Sequence, residues 1–193
     1  MKRENIHLPQ DVVWLLQTLH HAGYSAYVVG GCVRDSLLGR RPGDWDICTA
    51  ARPDQMRALF ADRQLILTGE KHGTVGVVLH GTPYEITTYR LDGNYQDHRH
   101  PDRVQFVGEL AQDLARRDFT INAMAYAPDE GVIDLYGGRR DLAAGIIRCV
   151  GNPGARFAEA LRWRRGRKPP PGQPGTVCRR SARSGFMPNW TAC

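Results

Sequence analysis

The chain has 193 residues, and a hydrophobic content of 41% is enough for one domain with a buried core. The net charge of +6 is unevenly spread, because residues 163–193 hold seven of the 26 Lys and Arg residues and no Asp or Glu. The high net charge is therefore weak evidence that the folded part binds nucleic acid. Five cysteines without a CxxC pair argue against a zinc site and a disulfide framework. No apolar run approaches transmembrane length, so we expect a cytoplasmic protein with no membrane partner.

The apolar pattern predicts helices and strands in a mixed order along the chain. The order begins with a helix over 8–21, a strand at 26–29, a helix over 33–38, a strand over 45–48, a helix over 53–60 and a strand over 64–68. It continues with a hairpin of 74–79 and 84–89, a polar loop over 92–101, a strand over 104–107 and a long helix over 110–126. Short elements over 132–135, 142–144 and 146–150 precede a helix over 154–162. This order predicts an α/β (α+β) fold with a small mixed sheet flanked by helices.

One stretch, residues 27–50, carries the densest set of chemical signals. Its apolar residues run into Gly30 and Gly31, and such a turn between a strand and a helix offers backbone N–H groups to a triphosphate. Further on, Asp44 and Asp46 alternate with a tryptophan, and alternation on a strand points both carboxylates to one face and the tryptophan into the core. Hard divalent cations bind such oxygen ligands. The stretch therefore predicts a metal-dependent site for a nucleoside triphosphate.

Six ordered motifs extend this signal over most of the chain. They are GGCVRDSLLG (30–39), GDWDICTAA (43–51), HGTVGVVL (72–79), YEITTYR (84–90), ARRDFTINAMAY (115–126) and DLYGGRRDL (134–142). Together they resemble the bacterial tRNA nucleotidyltransferase/poly(A) polymerase family, within the DNA polymerase β-like nucleotidyltransferases. The resemblance implies a catalytic head domain over 1–140, the start of a helical neck over 141–162 and a tail over 163–193. The Arg/Pro/Gly-rich tail is expected to be disordered.

The same resemblance assigns roles to individual residues. It implies that Asp44 and Asp46 bind two catalytic Mg²⁺ ions and that Glu85 is the third acid, although a Glu on the outer face of an edge strand would look the same. Asp35 is expected to support Arg34 rather than to touch the ligand. The polar loop over 92–99 matches a loop that helps to switch between CTP and ATP in CCA-adding members. The residues implied to bind nucleotide are Gly30, Gly31, Arg34, Arg117, Asp118, Asn122, Glu159, Arg162 and Arg165.

The resemblance weakens near residue 157. The family pattern of a Glu-Asp pair followed by arginines is reduced here to Glu159, Arg162 and Arg165, with one residue missing before Arg162. Glu159 and Arg162 still share a helix face. The sequence that follows no longer resembles the family, which leads to the hypothesis of out-of-frame translation and to the expectation that the family's tRNA-binding helical regions are missing.

Three functions remain open from the sequence. The first is transfer of CMP and AMP from CTP and ATP to the 3′ end of tRNA, impaired by the loss of the neck. The second is poly(A) addition. The third is an inactive remnant that binds nucleic acid through its basic tail, with strong salt dependence. The sequence leaves the oligomeric state open.

Overall fold

A computed structural model describes residues 5–92, 104–152 and 178–179. Its strands are β1 (Ala26–Val29), β2 (Ile47–Thr49), β3 (Gln64–Ile66), β4 (Thr74–Leu79), β5 (Thr82–Thr88), β6 (Arg90–Asp92), β7 (Val104–Phe106), β8 (Met124–Ala127), β9 (Gly131–Asp134), β10 (Ile146–Ile147) and β11 (Cys178–Arg179). Its helices are α1 (Gln10–His21), α2 (Gly31–Leu37), α3 (Pro53–Leu59), α4 (Leu110–Ala115) and α5 (Gly138–Ala143). Two 3₁₀ turns lie at Glu70–His72 and Thr120–Asn122.

Seven strands form one mixed sheet in the order β3-β4-β5-β2-β1-β8-β9. All neighbours in it are antiparallel except β2 and β5, which are parallel. The parallel pair aligns Ile47 with Ile86. The mixed sheet with its helices confirms the predicted fold class and brings the start of β2 beside the middle of β5.

The sheet is covered on both faces, which explains why β1, β2 and β8 are buried along their whole length. One core joins Val28, Ile47 and Ile86 to the apolar stripes of α1 and α3. On the opposite face Tyr27, Val29 and Cys48 pack with residues of α4, among them Leu114. Burial on both faces makes β1 a continuous apolar run rather than an alternating one.

The predicted helix over 110–126 is wrong. Only Leu110–Ala115 is helical, and a 3₁₀ turn and the buried strand β8 follow it. Val28 and Val29 pair with Tyr126 and Ala125, so β8 completes the centre of the sheet. Tertiary pairing with β1 and β9 overrides the local helix preference of this Ala- and Met-containing segment.

Smaller differences concern the strand ends. The predicted strand at 104–107 pairs with β6 in a separate two-stranded sheet rather than joining the main one. The hairpin of β4 and β5 turns over two residues, because His80 and Gly81 adopt positive φ and Leu79 already pairs with Thr82. The predicted loop over 92–101 lies outside the described residues except for Asp92, which belongs to β6. The predicted helix over 154–162 also lies outside them. Of the tail, only β11 is described, and it pairs with β10, while the disorder predicted for the tail stays a prediction.

Candidate active site

Three carboxylates meet where β2 begins. Strand β2 starts at Ile47, so Asp44 and Asp46 lie in the segment just before it and not on the strand, as the alternation argument had assumed. Glu85 is on β5, one residue before the Ile86 that aligns with Ile47. The parallel pairing therefore brings Glu85 beside Asp46. Strand β5 is an interior strand of the sheet, which removes the edge-strand explanation for Glu85.

The carboxylates of Asp44 and Glu85 are close enough to Asp46 to affect its pKa. All three are exposed, and all three line one cavity. The pKa of Asp46 is raised because the surrounding protein displaces water from its carboxylate and because Asp44 and Glu85 carry the same charge, while Arg117 opposes the shift. A group of like charges without a cation among them is the arrangement that a divalent metal ion relieves.

A basic turn, which we call the cradle, lies near Asp46, because its Arg117 is close enough to lower the pKa of the Asp46 carboxyl. It consists of Gly30, Gly31, Arg34, Arg117 and Asn122. Nη1 of Arg34 donates to Oδ1 of Asn122 over 2.7 Å, and Nε and Nη2 of Arg34 donate to the carboxylate of its neighbour Asp35 over 2.9 and 3.1 Å. Asp35 thus supports Arg34, as predicted. The guanidinium is held in one orientation before any ligand arrives.

The two glycines of the cradle serve different purposes. Gly30 has φ of 85°, and a Cβ there would come within 3.2 Å of Nη1 of Arg117, so Gly30 leaves room for an arginine. Gly31 has ordinary φ, and a Cβ there would lie 3.6 Å from Nη2 of Arg34, which is normal contact. Within the described residues no contact therefore requires a glycine at position 31.

Arg117 is anchored by a residue that the sequence reasoning missed. Asp113 is fully buried, and its carboxylate lies 3.2 Å from Nη2 of Arg117 and 2.8 Å from Nη2 of Arg116. Nε of Arg117 is buried without a hydrogen-bond partner among the described residues. The spacing of three and four residues from Asp113 to the two arginines is a helix pairing pattern that could have revealed this anchor.

The carboxylates open into a cavity of about 1230 Å³, which we call the pocket. Besides Asp44, Asp46 and Glu85 it is lined by Arg40, Arg41, Trp45 and Tyr84 among others. Trp45, which the sequence predicted to be core, is half-buried and contacts the core while it also lines the pocket. The prediction for Trp45 was wrong because residues 44–46 precede β2, and side chains need not alternate between two faces outside a strand.

The remaining predicted residues are placed differently. Asp118 and Asn122 lie on the turns before β8 and not on a helix. Asp118 is exposed, and its backbone oxygen accepts from the N–H of Val150. Glu159, Arg162 and Arg165 lie outside the described residues, so their nucleotide contacts stay predictions.

The donor set fits a hard divalent cation. Asp44, Asp46 and Glu85 offer carboxylate oxygens, yet the described residues contain no group of three or more His, Cys, Asp or Glu side chains close enough to enclose a metal ion. Mg²⁺ suits such an open site, because it takes one or two carboxylates and completes its shell with phosphate oxygens and water.

Comparison with known proteins identifies the family of this chain. The family model described as poly A polymerase head domain matches residues 26–148, and the chain belongs to that family. The CCA-adding enzyme of Limosilactobacillus reuteri is 51% identical over 152 residues, which are 78% of this chain and 37% of that protein. The CCA-adding enzyme of Geobacillus thermodenitrificans is 50% identical over 157 residues, 81% of this chain and 38% of that protein. The chain thus spans well under half of the curated relatives it matches.

Solved structures give the same class. The CCA-adding enzyme of Bacillus stearothermophilus in complex with CTP aligns with a TM-score of 0.70 and 46% identity, over 80% of this chain and 36% of that chain. The Thermotoga maritima CCA-adding enzyme complexed with tRNA aligns with a TM-score of 0.58 and 27% identity, over 82% of this chain and 36% of that one. The chain therefore shares its fold with these CCA-adding enzymes. Among the described residues no helix has both the length and the apolarity to cross a membrane.

Proposed function

We propose that this chain is the catalytic head of a template-independent RNA nucleotidyltransferase that transfers CMP from CTP and AMP from ATP to the 3′ end of tRNA. The observation that carries the proposal is the meeting of Asp44, Asp46 and Glu85 beside the basic cradle. The named relatives, one of them solved with CTP and one with tRNA, support the choice of substrates. A cytoplasmic location fits the buried free cysteines at 32 and 48.

The residues of the cradle can hold the triphosphate. Arg34 is preoriented by Asp35 and Asn122, and Arg117 has an unpartnered Nε beside Gly30. Guanidinium groups bind phosphate oxygens in pairs of charge-assisted hydrogen bonds. Asp44 and Asp46 would hold Mg²⁺, and bound Mg²⁺ lowers the pKa of the attacking 3′-hydroxyl and neutralises the leaving pyrophosphate.

Binding measurements test the metal-dependent part of the proposal. Titration calorimetry of MgCTP and MgATP on the full chain should give binding for the wild type, and Asp46→Ala should weaken it at least roughly 10- to 100-fold, as loss of metal support does. Asp129→Asn is a matched control, because Asp129 is exposed in the turn between β8 and β9 and lies outside the pocket. Equal heats for the wild type and Asp46→Ala would reject the site.

Product analysis tests the reaction itself. An RNA lacking its terminal adenosine or CCA should gain these nucleotides and no more. A homopolymer of adenosine would instead favour poly(A) polymerase, the activity named in the matching family model. MgCTP binding without any incorporation would support the inactive remnant, in which Glu159, Arg162 and Arg165 no longer select a base.

A further inference from the structure

Two residues of the cradle, Arg117 and Asn122, belong to one short segment of the chain. The segment runs from the end of α4 through the 3₁₀ turn Thr120–Asn122 to β8. Arg117 has its own anchor in Asp113. The position of Asn122, whose side-chain oxygen accepts from Arg34 over 2.7 Å, depends on how the turn is held. The contacts that fix this turn therefore also fix the orientation of the Arg34 guanidinium.

A buried group of three residues, which we call the clamp, holds the turn at its first residue. The clamp consists of Thr120, Asp141 and Arg148. The hydroxyl of Thr120 donates to Oδ2 of Asp141 over 2.8 Å, and the same carboxylate accepts from Nε and Nη2 of Arg148 over 2.9 and 3.2 Å. The backbone N–H of Thr120 donates to the carbonyl of Arg148 over 2.8 Å. Thr120 is thus bonded through both its side chain and its backbone.

Helix α5 packs directly against the same turn. A Cβ at Gly138, the first residue of α5, would come within 2.2 Å of the carbonyl oxygen of Thr120, so only glycine allows this approach. Asp134 fixes that end of the helix, because its carboxylate accepts from the backbone N–H groups of Gly138 and Arg139 over 2.8 and 2.9 Å. Helix α5 therefore blocks a shift of the turn toward it, and the bond from Thr120 to Asp141 resists a shift away.

The chemistry of the clamp suits precise placement. Asp141 is 1% exposed, and its burial costs the hydration of a carboxylate, which a well-packed apolar side chain would not lose. Charge-assisted hydrogen bonds are short and have a defined direction, whereas apolar contacts have no preferred direction. Functional side chains need supporting residues that hold them within about 0.5 Å of their working position. A buried acid that fixes the turn below Asn122 meets this need.

We propose that Thr120, Asp141 and Arg148 are positioning residues for the triphosphate. They hold the turn, the turn places Asn122, and Asn122 orients the guanidinium of Arg34. This inference rests on the proposed function and adds to it buried residues that act through another side chain. It differs from a purely structural role, because it requires the clamp to control nucleotide affinity in protein that is fully folded.

Thr120→Val in the full chain tests the inference. A methyl group cannot lie 2.8 Å from the Asp141 oxygen as the hydroxyl does, since carbon and oxygen pack about 3.3–3.6 Å apart, so the turn must shift by about half an ångström. We expect the affinity for MgCTP to fall roughly three- to ten-fold. Titration calorimetry measures it at a temperature at which circular dichroism shows the variant folded. Thr120→Ser keeps the hydroxyl and should stay within about two-fold of the wild type.

Thr88→Val is the matched control. Thr88 is fully buried, and its hydroxyl donates to the carbonyl of Ala51 over 2.7 Å. The same substitution therefore removes one buried threonine hydrogen bond at a place outside the clamp and the cradle. Thr88→Val should lower the temperature of unfolding as Thr120→Val does, yet change the affinity for MgCTP by less than about two-fold. Equal losses of affinity in the two variants, or no loss in Thr120→Val, would overturn the inference.

A double-mutant cycle tests whether the clamp acts through Asn122. Asn122→Ala removes the acceptor for Arg34. Residues that act along one chain of contacts have non-additive effects, whereas the effects of independent residues add. In the Asn122→Ala protein, Thr120→Val should therefore change the affinity for MgCTP by less than about two-fold. A further loss as large as in the wild-type background would contradict the inference.

The Nε–H group of Arg34 provides a readout that needs no nucleotide. Its signal in a nitrogen–proton correlation spectrum should shift or broaden in Thr120→Val and stay in place in Thr88→Val. An unchanged signal in Thr120→Val, or the same change in both variants, would overturn the inference even in a protein that binds no MgCTP. Loss of MgCTP binding on Asp46→Ala would still uphold the proposed function in those cases, so the two failures are distinguishable.

Discussion

Two groups of carboxylates in this protein differ in what surrounds them. The pocket acids, Asp44, Asp46 and Glu85, are exposed beside one another, and loss of water around Asp46 together with the like charges of its neighbours raises its pKa. The buried acids, Asp113 and Asp141, are at most 1% exposed and are each held by arginines. The fold thus neutralises the buried carboxylates with arginines. It leaves the negative charge of the pocket carboxylates for a ligand to neutralise.

Replacement of Asp by Asn tests both groups, and we expect the largest change in the free energy of unfolding at Asp113. Asp113→Asn leaves Arg116 and Arg117 without their charge partner in surroundings where they are 16% and 19% exposed. We expect a loss of about 3 kcal/mol in the free energy of unfolding, measured by urea denaturation. A loss below about 1 kcal/mol would contradict the proposed difference between the two groups, because Asp113 would then stabilise the fold no more than an ion pair on the surface does.

A smaller effect is expected at Asp141. Its carboxylate accepts from the buried hydroxyl of Thr120 over 2.8 Å and from Nε and Nη2 of Arg148 over 2.9 and 3.2 Å. Asp141→Asn leaves one oxygen for these donors and should cost about 1 kcal/mol for the bond that is lost. The cost stays below that at Asp113, because Arg148 is 41% exposed and solvent screens its charge.

The pH dependence sharpens this second prediction. Burial alone would raise the pKa of Asp141, but hydrogen bonds from Arg148 and Thr120 outweigh burial and lower the pKa. A lowered pKa means that its stabilisation is present above the ordinary Asp value near about 4 and is lost as the pH falls through the folded value. The stability difference between the wild type and Asp141→Asn should therefore shrink on acidification, and a difference that grows toward acid would contradict the assignment.

The smallest expected effect has the opposite sign. The raised pKa of Asp46 means that its ionised form at neutral pH is a cost to the metal-free protein. Asp46→Asn should leave the free energy of unfolding unchanged or increase it by less than about 1 kcal/mol, because solvent screens an exposed group. Thermal unfolding with chelator present measures this effect, with Asp129→Asn as control. A clear destabilisation by Asp46→Asn would show that this pocket acid stabilises the fold as the buried acids do, and would contradict the proposed difference between the two groups.

Local sequence determined much of this molecule. The apolar stripe of Val12, Leu15 and Leu19 was sufficient to predict α1, and the apolar run at 26–29 was sufficient to predict β1, because the sequence pattern and the observed burial agree in both elements. The glycine turn, the pair of aspartates and the support of Arg34 by Asp35 were also readable, because each lies within a few residues along the chain. These local features were enough to predict the class of site.

Tertiary structure decided the rest, because it depends on contacts between distant parts of the chain. Only pairing with β1 turns Met124–Ala127 into a strand, against a local pattern that favours helix. Asp46 and Glu85 are 39 positions apart in the sequence, and each precedes by one residue a member of the aligned pair Ile47 and Ile86. Only the parallel register of β2 and β5 therefore brings the two carboxylates together. Only packing shows that Gly30 makes room for Arg117 and that Trp45 faces the pocket. Residues close together in the sequence thus determine the chemistry of the site, whereas long-range strand pairing brings Glu85 to the two aspartates.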